Sequence, residues 1–457
     1  MNPRVFREYD VRGVADRDLS DDFARDLGRA IGTMIVRAGT PGRQPTFALG
    51  RDCRASSPRL HAALSEGLIE TGLLVKDVGL VATPVLYFSV FHLDADGGVQ
   101  ITGSHNPPED NGFKILRGKT TIHGDDVQAL LRLIQARDFV RAAGGRCESL
   151  DVHAAYQQVV IDNVRPHLGP RRFPVVVDAG NGMGGIDAVP ILRALGFPVS
   201  ALYCELDGRF PNHHPDPTVE ENVAALRAEV TRTSAELGIA FDGDADRIGV
   251  VDPRGRIVWG DQLMILYARD ILQSSPGATF VGEVKCSKAM YDEIARAGGQ
   301  TIMWKVGHSL IKDKLRSSGA ALAGEMSGHV FFAHRYYGFD DAIYAATRLV
   351  ELLTRSERTF VELVDGLPVV VNTPELRVDC ADDLKFEVVR RLAERLRGRY
   401  EVIDIDGVRV TFPDGWGLVR ASNTQPVLVT RFEATTAARL SEIRALVEGE
   451  LRAAQRG

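Results

Sequence analysis

The sequence predicts an α/β protein: three similar α/β domains with mixed sheets, followed by a smaller C-terminal α+β domain. Three observations carry that expectation. The chain has 457 residues, and domains run about 100–200 residues each, so two to four are expected. Short apolar runs alternate with longer amphipathic stretches through most of the chain, the pattern of sheets covered by helices. The pattern comes round three times without a residue-level repeat, and then changes to short strands joined by tight turns.

In the first round, strands are expected at 46–50, 76–81, 98–102 and 113–116, with helices over 21–37 and 57–71. The second round places strands at 175–178, 199–203, 239–241 and 248–251. The third places them at 279–284, 301–306 and 320–323, with helices around 262–272 and 288–297. In the last part, strands at 376–378 and 401–405 flank a charged helix over 384–396. Strands at 407–412, 416–421 and 427–433 follow, with turns such as Pro413-Asp414-Gly415, which reads as a small antiparallel sheet. No low-complexity linker intervenes, and the expected domains are 1–147, 148–254, 255–366 and 367–457.

Lys and Arg number 55 against 61 acids, a net charge of −6. That is too mild for a protein that coats nucleic acid or a membrane surface. The 5 cysteines are far apart and form no C-x-x-C pair, which fits reduced thiols better than a disulfide framework or a zinc site. Residues 1–12 have no apolar h-region, and no window reaches the ~18 apolar residues of a membrane span. The expectation is a soluble, cytoplasmic protein, monomeric or dimeric, with neither nucleic acid nor membrane as a partner. An anionic ligand would be met by local basic residues.

Chemistry concentrates in a few segments. Asp242-Gly243-Asp244-Ala245-Asp246-Arg247 sits between two apolar strands. Three carboxylates at alternate positions, spaced by small residues, can converge on one point, and hard oxygen ligands suit Mg²⁺ or Ca²⁺. An EF-hand is excluded, because Arg247 and Pro253 stand where that loop needs Gly and Glu. Arg247 suggests a negative group beside the metal. In Thr102-Gly103-Ser104-His105-Asn106-Pro107, a strand ends and a tight loop holds Ser104 outward. A Ser-His dyad is not expected, since neighbours in an extended chain point to opposite sides. Nor is the G-x-S-x-G elbow of hydrolases present. A serine that carries a phosphoryl group needs a metal and donors around its phosphate.

Gly324-Glu325-Met326-Ser327-Gly328-His329 puts Glu325 and Ser327 on one side of an extended stretch, spaced to bind neighbouring sugar hydroxyls. Arg420-Ala421-Ser422-Asn423-Thr424 offers the donor set of a phosphate site, and Arg431 adds a second positive charge. Gly180-Asn181-Gly182-Met183-Gly184-Gly185, with Glu205 beyond it, matches a dinucleotide fingerprint. Nothing else suggests hydride chemistry, and a tight strand-to-helix turn is the better account.

In this order and spacing the motifs resemble those of the α-D-phosphohexomutase superfamily, most closely its bacterial phosphomannomutase/phosphoglucomutase branch. The resemblance runs from Phe6-Arg7-Glu8-Tyr9-Asp10-Val11-Arg12-Gly13 to Arg431-Phe432-Glu433. It implies four domains around a central cleft and a phosphorylated Ser104. It implies Mg²⁺ held by Asp242, Asp244 and Asp246, with Ser104 completing the site. Arg12, Lys114, His105, Arg247 and His329 become candidate catalytic residues. Tyr9, Lys285, His308, Glu325 and Ser327 become candidate sugar contacts, and Arg420, Ser422, Asn423, Thr424 and Arg431 candidate phosphate contacts. Two departures are small: Ala245 where Gly is usual and Glu283 where Asp is common.

The implied reaction is a reversible exchange between hexose 1-phosphate and hexose 6-phosphate. It runs through a phosphoserine and a bound 1,6-bisphosphosugar, with glucose or mannose 1,6-bisphosphate as activator. A closing fourth domain with a hinge at 368–374 is expected to shield the phosphoserine. The alternatives are a phosphoglucosamine mutase, a metal-dependent phosphatase and an inactive scaffold.

Overall fold

A computed structural model describes residues 2–422 and 427–456; Asn423 and Thr424 of the expected phosphate loop lie outside them. The chain forms two compact units: residues up to 260 with 327–365, and 261–326 with 366 onward. Among the described residues, no helix is long and apolar enough to cross a membrane.

The first unit holds two mixed sheets. From edge to edge, one runs Val11–Val14, Asp110–Arg117, Gly97–Ile101, Thr46–Arg51, Leu74–Leu80 and Arg146–Ser149. Its inner strands are parallel, and Asp110–Arg117 returns antiparallel beside Gly97–Ile101. Gly97–Ile101 is buried at every position, as a strand covered on both faces must be. The other sheet runs Ile257–Val258, Ile248–Val251, Leu237–Phe241, Val175–Asp178 and Val199–Leu202. Here too a buried parallel strand, Leu237–Phe241, is followed by an antiparallel return, Ile248–Val251. The Ser104 loop and the Asp242–Asp246 loop are these two parallel-to-antiparallel connections.

Two helices of this unit that the sequence pattern does not announce are Thr83–His92 and Ala342–Arg355. Both are buried along most of their length; Thr83–His92 is apolar nearly all round, which erases the helical period, whereas Ala342–Arg355 keeps a polar row of Arg348, Glu351 and Arg355. Ala342–Arg355 packs against the helices His153–Val164 and Gly184–Ala194.

The second unit contains a parallel set, Gln300–Trp304, Thr279–Glu283 and Leu322–Gly324. The last strand starts two residues later than expected, because Ala320 closes the helix His308–Ser318 by donating its N–H to Leu315 O. Its antiparallel sheet centres on Val427–Ala434, Gly415–Ala421 and Val408–Phe412, with Glu401–Ile403 at one edge. Phe412 pairs with Gly415 across the Pro413-Asp414 turn. The helices Lys385–Leu396 and Ala437–Arg456 cover this sheet, and Leu392, Leu396, Phe432 and Val447 form its core. Val371 and Asn372 pair with Ala434 and Glu433. The second half of the expected 368–374 hinge is therefore tied into the sheet.

Candidate active site

Ser104 is buried, with its backbone in the left-handed region at φ +50°. That conformation is costly for a non-glycine residue. It breaks the alternation of an extended chain and so overturns one expectation: His105 Nδ1 lies 3.0 Å from Ser104 Oγ. Burial, together with the nearby Arg247 and Arg12 charges, holds the His105 pKa well below the usual imidazole value. A neutral ring beside the serine follows. Ser104 Oγ also donates to Asp242 Oδ2 at 2.6 Å.

The three aspartates are fully buried, and one ligand oxygen from each lies within 4.8 Å of the others. Asp242 Oδ1 accepts the backbone N–H groups of Asp246 and Arg247, which curls the loop. Burial first, and then the neighbouring Asp244 and Asp246 charges, push Asp242 well above the usual carboxylate range. Lys114 Nζ donates to Asp244 Oδ2 at 2.7 Å and also to Asp246 Oδ2. Burial works against the charge on Lys114, but the carboxylates outweigh it and raise its pKa. Lys114 in turn pulls Asp244 down against the effect of burial. Asp244 Oδ1 and Asp246 Oδ1 are buried without a hydrogen-bond partner among the described residues. Such oxygens are expensive to bury, and a hard divalent cation suits them.

Arg247 Nε donates to His329 Nε2 at 3.0 Å. His329 Nε2 is thus an acceptor and Nδ1 carries the proton, a tautomer assigned from the network. Nδ1 faces Asp340 at 3.2 Å and Asp246 at 3.5 Å. Arg12 pairs with Asp10 and donates to Asn106 Oδ1 in the Ser104 loop. Tyr9 and Ser327 are half-buried in the same unit.

The remaining candidates belong to the second unit. Lys285 Nζ pairs with Glu375 at 2.7 Å, and Arg431 Nη1 donates to Lys285 O. Burial opposes the Lys285 charge, but Glu375 and Glu283 raise its pKa. Glu325 Oε1 accepts Gly307 N–H, just before His308 opens its helix. Arg420 pairs with Asp406, whose carboxylate also accepts Val306 N–H. Ser422 is buried just past the strand Gly415–Ala421 that carries Arg420.

Thr83 and Asp340 are absent from the sequence-derived set. Thr83 donates its hydroxyl to Asp244 Oδ2 at 2.5 Å and its N–H to Asp244 O. The signal for Thr83 is its Thr-Pro helix start; Asp340 has only the neighbouring His329 motif to point to it. The glycine-rich turn is a packing device, as expected. Met183 N–H donates to Gly243 O, and a Cβ at Gly182 would lie 2.6 Å from that carbonyl. The turn supports the metal loop and leaves no dinucleotide cradle.

Comparison with known proteins shows the family. Profiles of the phosphoglucomutase/phosphomannomutase family match four stretches: alpha/beta/alpha domain I at residues 3–141, domain II at 154–255, domain III at 259–370 and the C-terminal domain at 375–449. A phosphomannomutase/phosphoglucomutase of Pseudomonas aeruginosa is 44% identical over 450 residues, covering 98% of this chain and 96% of that protein. A phosphoglucomutase of Neisseria gonorrhoeae is 44% identical over 443 residues, covering 96% and 95%. The crystal structure of a phosphoglucomutase/phosphomannomutase family protein from Burkholderia thailandensis superposes with a TM-score of 0.93 at 41% identity, covering 100% of this chain and 99% of that one. With its four domain profiles in order along nearly the whole length, the chain belongs to the phosphoglucomutase/phosphomannomutase family.

Proposed function

We propose that Ser104 is a phosphoryl carrier in a phosphohexomutase that interconverts the 1- and 6-phosphates of glucose, mannose or both. The buried bond from Ser104 Oγ to Asp242, beside Asp244, Asp246 and Lys114, is the observation that carries this reading.

In the active enzyme Ser104 carries a phosphate. The free hydroxyl of a hexose phosphate attacks its phosphorus; the new P–O bond forms as Ser104 Oγ leaves, giving a 1,6-bisphosphosugar. After the bisphosphosugar reorients, Ser104 Oγ attacks the other phosphate and the sugar oxygen leaves. The transition state is loose and mostly needs positioning and positive charge, which Lys114, Arg247 and Arg12 supply. Once Arg247 turns from His329 Nε2 to the transferring phosphate, that nitrogen is free to accept the proton of the attacking hydroxyl and to return it to the leaving sugar oxygen, while Nδ1–H keeps facing Asp340. Bound by Asp242, Asp244, Asp246 and the Ser104 phosphate, Mg²⁺ would add divalent charge at the transferring group. Glu325, Ser327, His308, Lys285 and Tyr9 are assigned to the sugar. Arg420, Ser422, Asn423, Thr424 and Arg431 are assigned to the phosphate that is not reacting. We also propose 1–147, 148–254, 255–366 and 367–457 as the four domains of this division of labour.

The test assays mannose 1-phosphate, glucose 1-phosphate and glucosamine 1-phosphate in parallel, with Mg²⁺ and a trace of glucose 1,6-bisphosphate. Wild type should turn over the first two, and Ser104→Ala should lose about 10³-fold or more. Full activity in Ser104→Ala would sink the carrier mechanism. Turnover of glucosamine 1-phosphate alone would reassign the substrate, and stoichiometric release of inorganic phosphate would mark a phosphatase.

A further inference from the structure

We infer that Arg54 is the positioning residue that shapes the Ser104 loop, an inference that rests on the carrier reading of Ser104. Arg54 is completely buried. Its Nη2 donates to Ser104 O and Asn106 O, both at 2.7 Å. Its Nη1 donates to Pro107 O at 2.5 Å and Asp110 O at 3.0 Å. One guanidinium therefore satisfies four carbonyls of a single loop, using the hydrogens of both terminal nitrogens.

The loop needs such a donor. Between Ile101 and Asp110 it belongs to no helix or strand, and Ser104 holds a left-handed backbone. Turn carbonyls directed inward at one point require a forked, planar donor; an ammonium on a flexible stem cannot reproduce it. Arg54 is itself fixed from three sides. Asp52 Oδ2 pairs with Nε at 3.2 Å, and the same oxygen accepts Gly103 N–H. The Phe210 ring covers the guanidinium face with its centroid 5.0 Å away, although Phe210 must adopt φ +51° to sit there. On the loop side, a Cβ at Gly103 would lie 2.4 Å from Arg54 Cζ. The close contact that Gly103 permits is the contact with Arg54. Arg54 touches no reacting atom, so its action is on where Ser104 Oγ stands relative to Asp242.

The experiment compares Arg54→Lys with wild type, with Mg²⁺ and glucose 1-phosphate. A loop displaced by an ångström loses about 10²-fold in rate. The expected result is a kcat lower by about that factor with KM changed less than about threefold, the mark of lost transition-state geometry. Hydrogen–deuterium exchange supplies a readout independent of activity: amides at 103–110 should exchange faster in the variant, with the rest of the chain unchanged. A folded variant with wild-type kcat, or one with low kcat and wild-type exchange at 103–110, overturns the proposal. If Arg54→Lys does not fold, Phe210→Leu takes its place, removing the ring while leaving Arg54. It should show the same pattern at about tenfold, and unchanged kcat there overturns the proposal equally. The Ser104→Ala assay keeps the two ideas apart. Activity surviving in that variant defeats the carrier reading, while loop exchange still reports on Arg54.

Discussion

At the scale of single residues, Lys114 neutralises two of the carboxylates that a divalent cation would share. Removing Lys114 leaves Asp244 and Asp246 as uncompensated buried charges, a loss of about 3–5 kcal/mol. Lys114→Met should therefore melt well below wild type in EDTA and regain more of its Tm on adding Mg²⁺ than wild type gains. Equal Mg²⁺ shifts in the two proteins would refute the shared role. Ala245 gives a second residue-scale prediction. It holds φ +60°, where glycine is at ease and alanine is strained by about 1 kcal/mol. Ala245→Gly should raise the melting temperature by a degree or two, as calorimetry would show, without loss of activity. The spacing of the three aspartates made the metal loop legible in the sequence. The Ser104–His105 contact was not, because alternation holds for extended backbone and Ser104 is not extended. Thr83 was hidden for another reason: its partner Asp244 is 161 residues away, and only the fold brings the two together.

At the scale of elements, two contacts tie helices of the first unit together and set its pH response. His153 Nδ1 lies 2.9 Å from Asp187 and its Nε2 3.1 Å from Leu80 O, so both ring nitrogens face acceptors. The Asp187 bond, opposed by burial, raises the His153 pKa. A raised histidine contributes stability that is complete below its unfolded value of about 6.5 and is lost as pH rises through the folded value. Asp341 caps the helix Ala342–Arg355 and accepts the hydroxyls of Tyr156 and Tyr336. Burial nevertheless pushes it up to about 6. The native state then holds that proton more tightly than the unfolded chain, so stability falls as pH climbs from about 4 through the folded value. Thermal melts between pH 4 and pH 8.5 should show Asp341→Asn flattening the lower part of the profile and His153→Gln the upper part. Parallel curves for wild type and both variants would contradict the assignment. Half-buried strands and amphipathic helices, such as Asp21–Ala38, were readable from their period. The helix Thr83–His92 was not, because burial on nearly every side leaves no polar face to mark the turn.

For the molecule as a whole, the division into two compact units separates the proposed chemistry. Ser104, Lys114, the three aspartates, Arg247 and His329 belong to the first unit, and Lys285, Glu325, Arg420 and Arg431 to the second. Mg²⁺ alone should slow hydrogen exchange around 103–106 and 242–247 only, whereas glucose 1,6-bisphosphate should protect segments of both units. Protection of the second unit by Mg²⁺ alone would count against the triad as the metal site. The rhythm of strands and helices foretold four α/β or α+β segments, but no local signal marks that 327–365 folds back with the first two. That return depends on packing partners such as the helix His153–Val164, remote in sequence. It also has a consequence for biosynthesis. A chain emerging from the ribosome completes the serine and aspartate loops early, yet His329 and Asp340 arrive only after 261–326 has been made. The first unit must wait, partly built and with its carboxylates already gathered, while a piece of its companion is synthesised. Chains truncated near residue 260 should therefore be poorly folded and prone to aggregate.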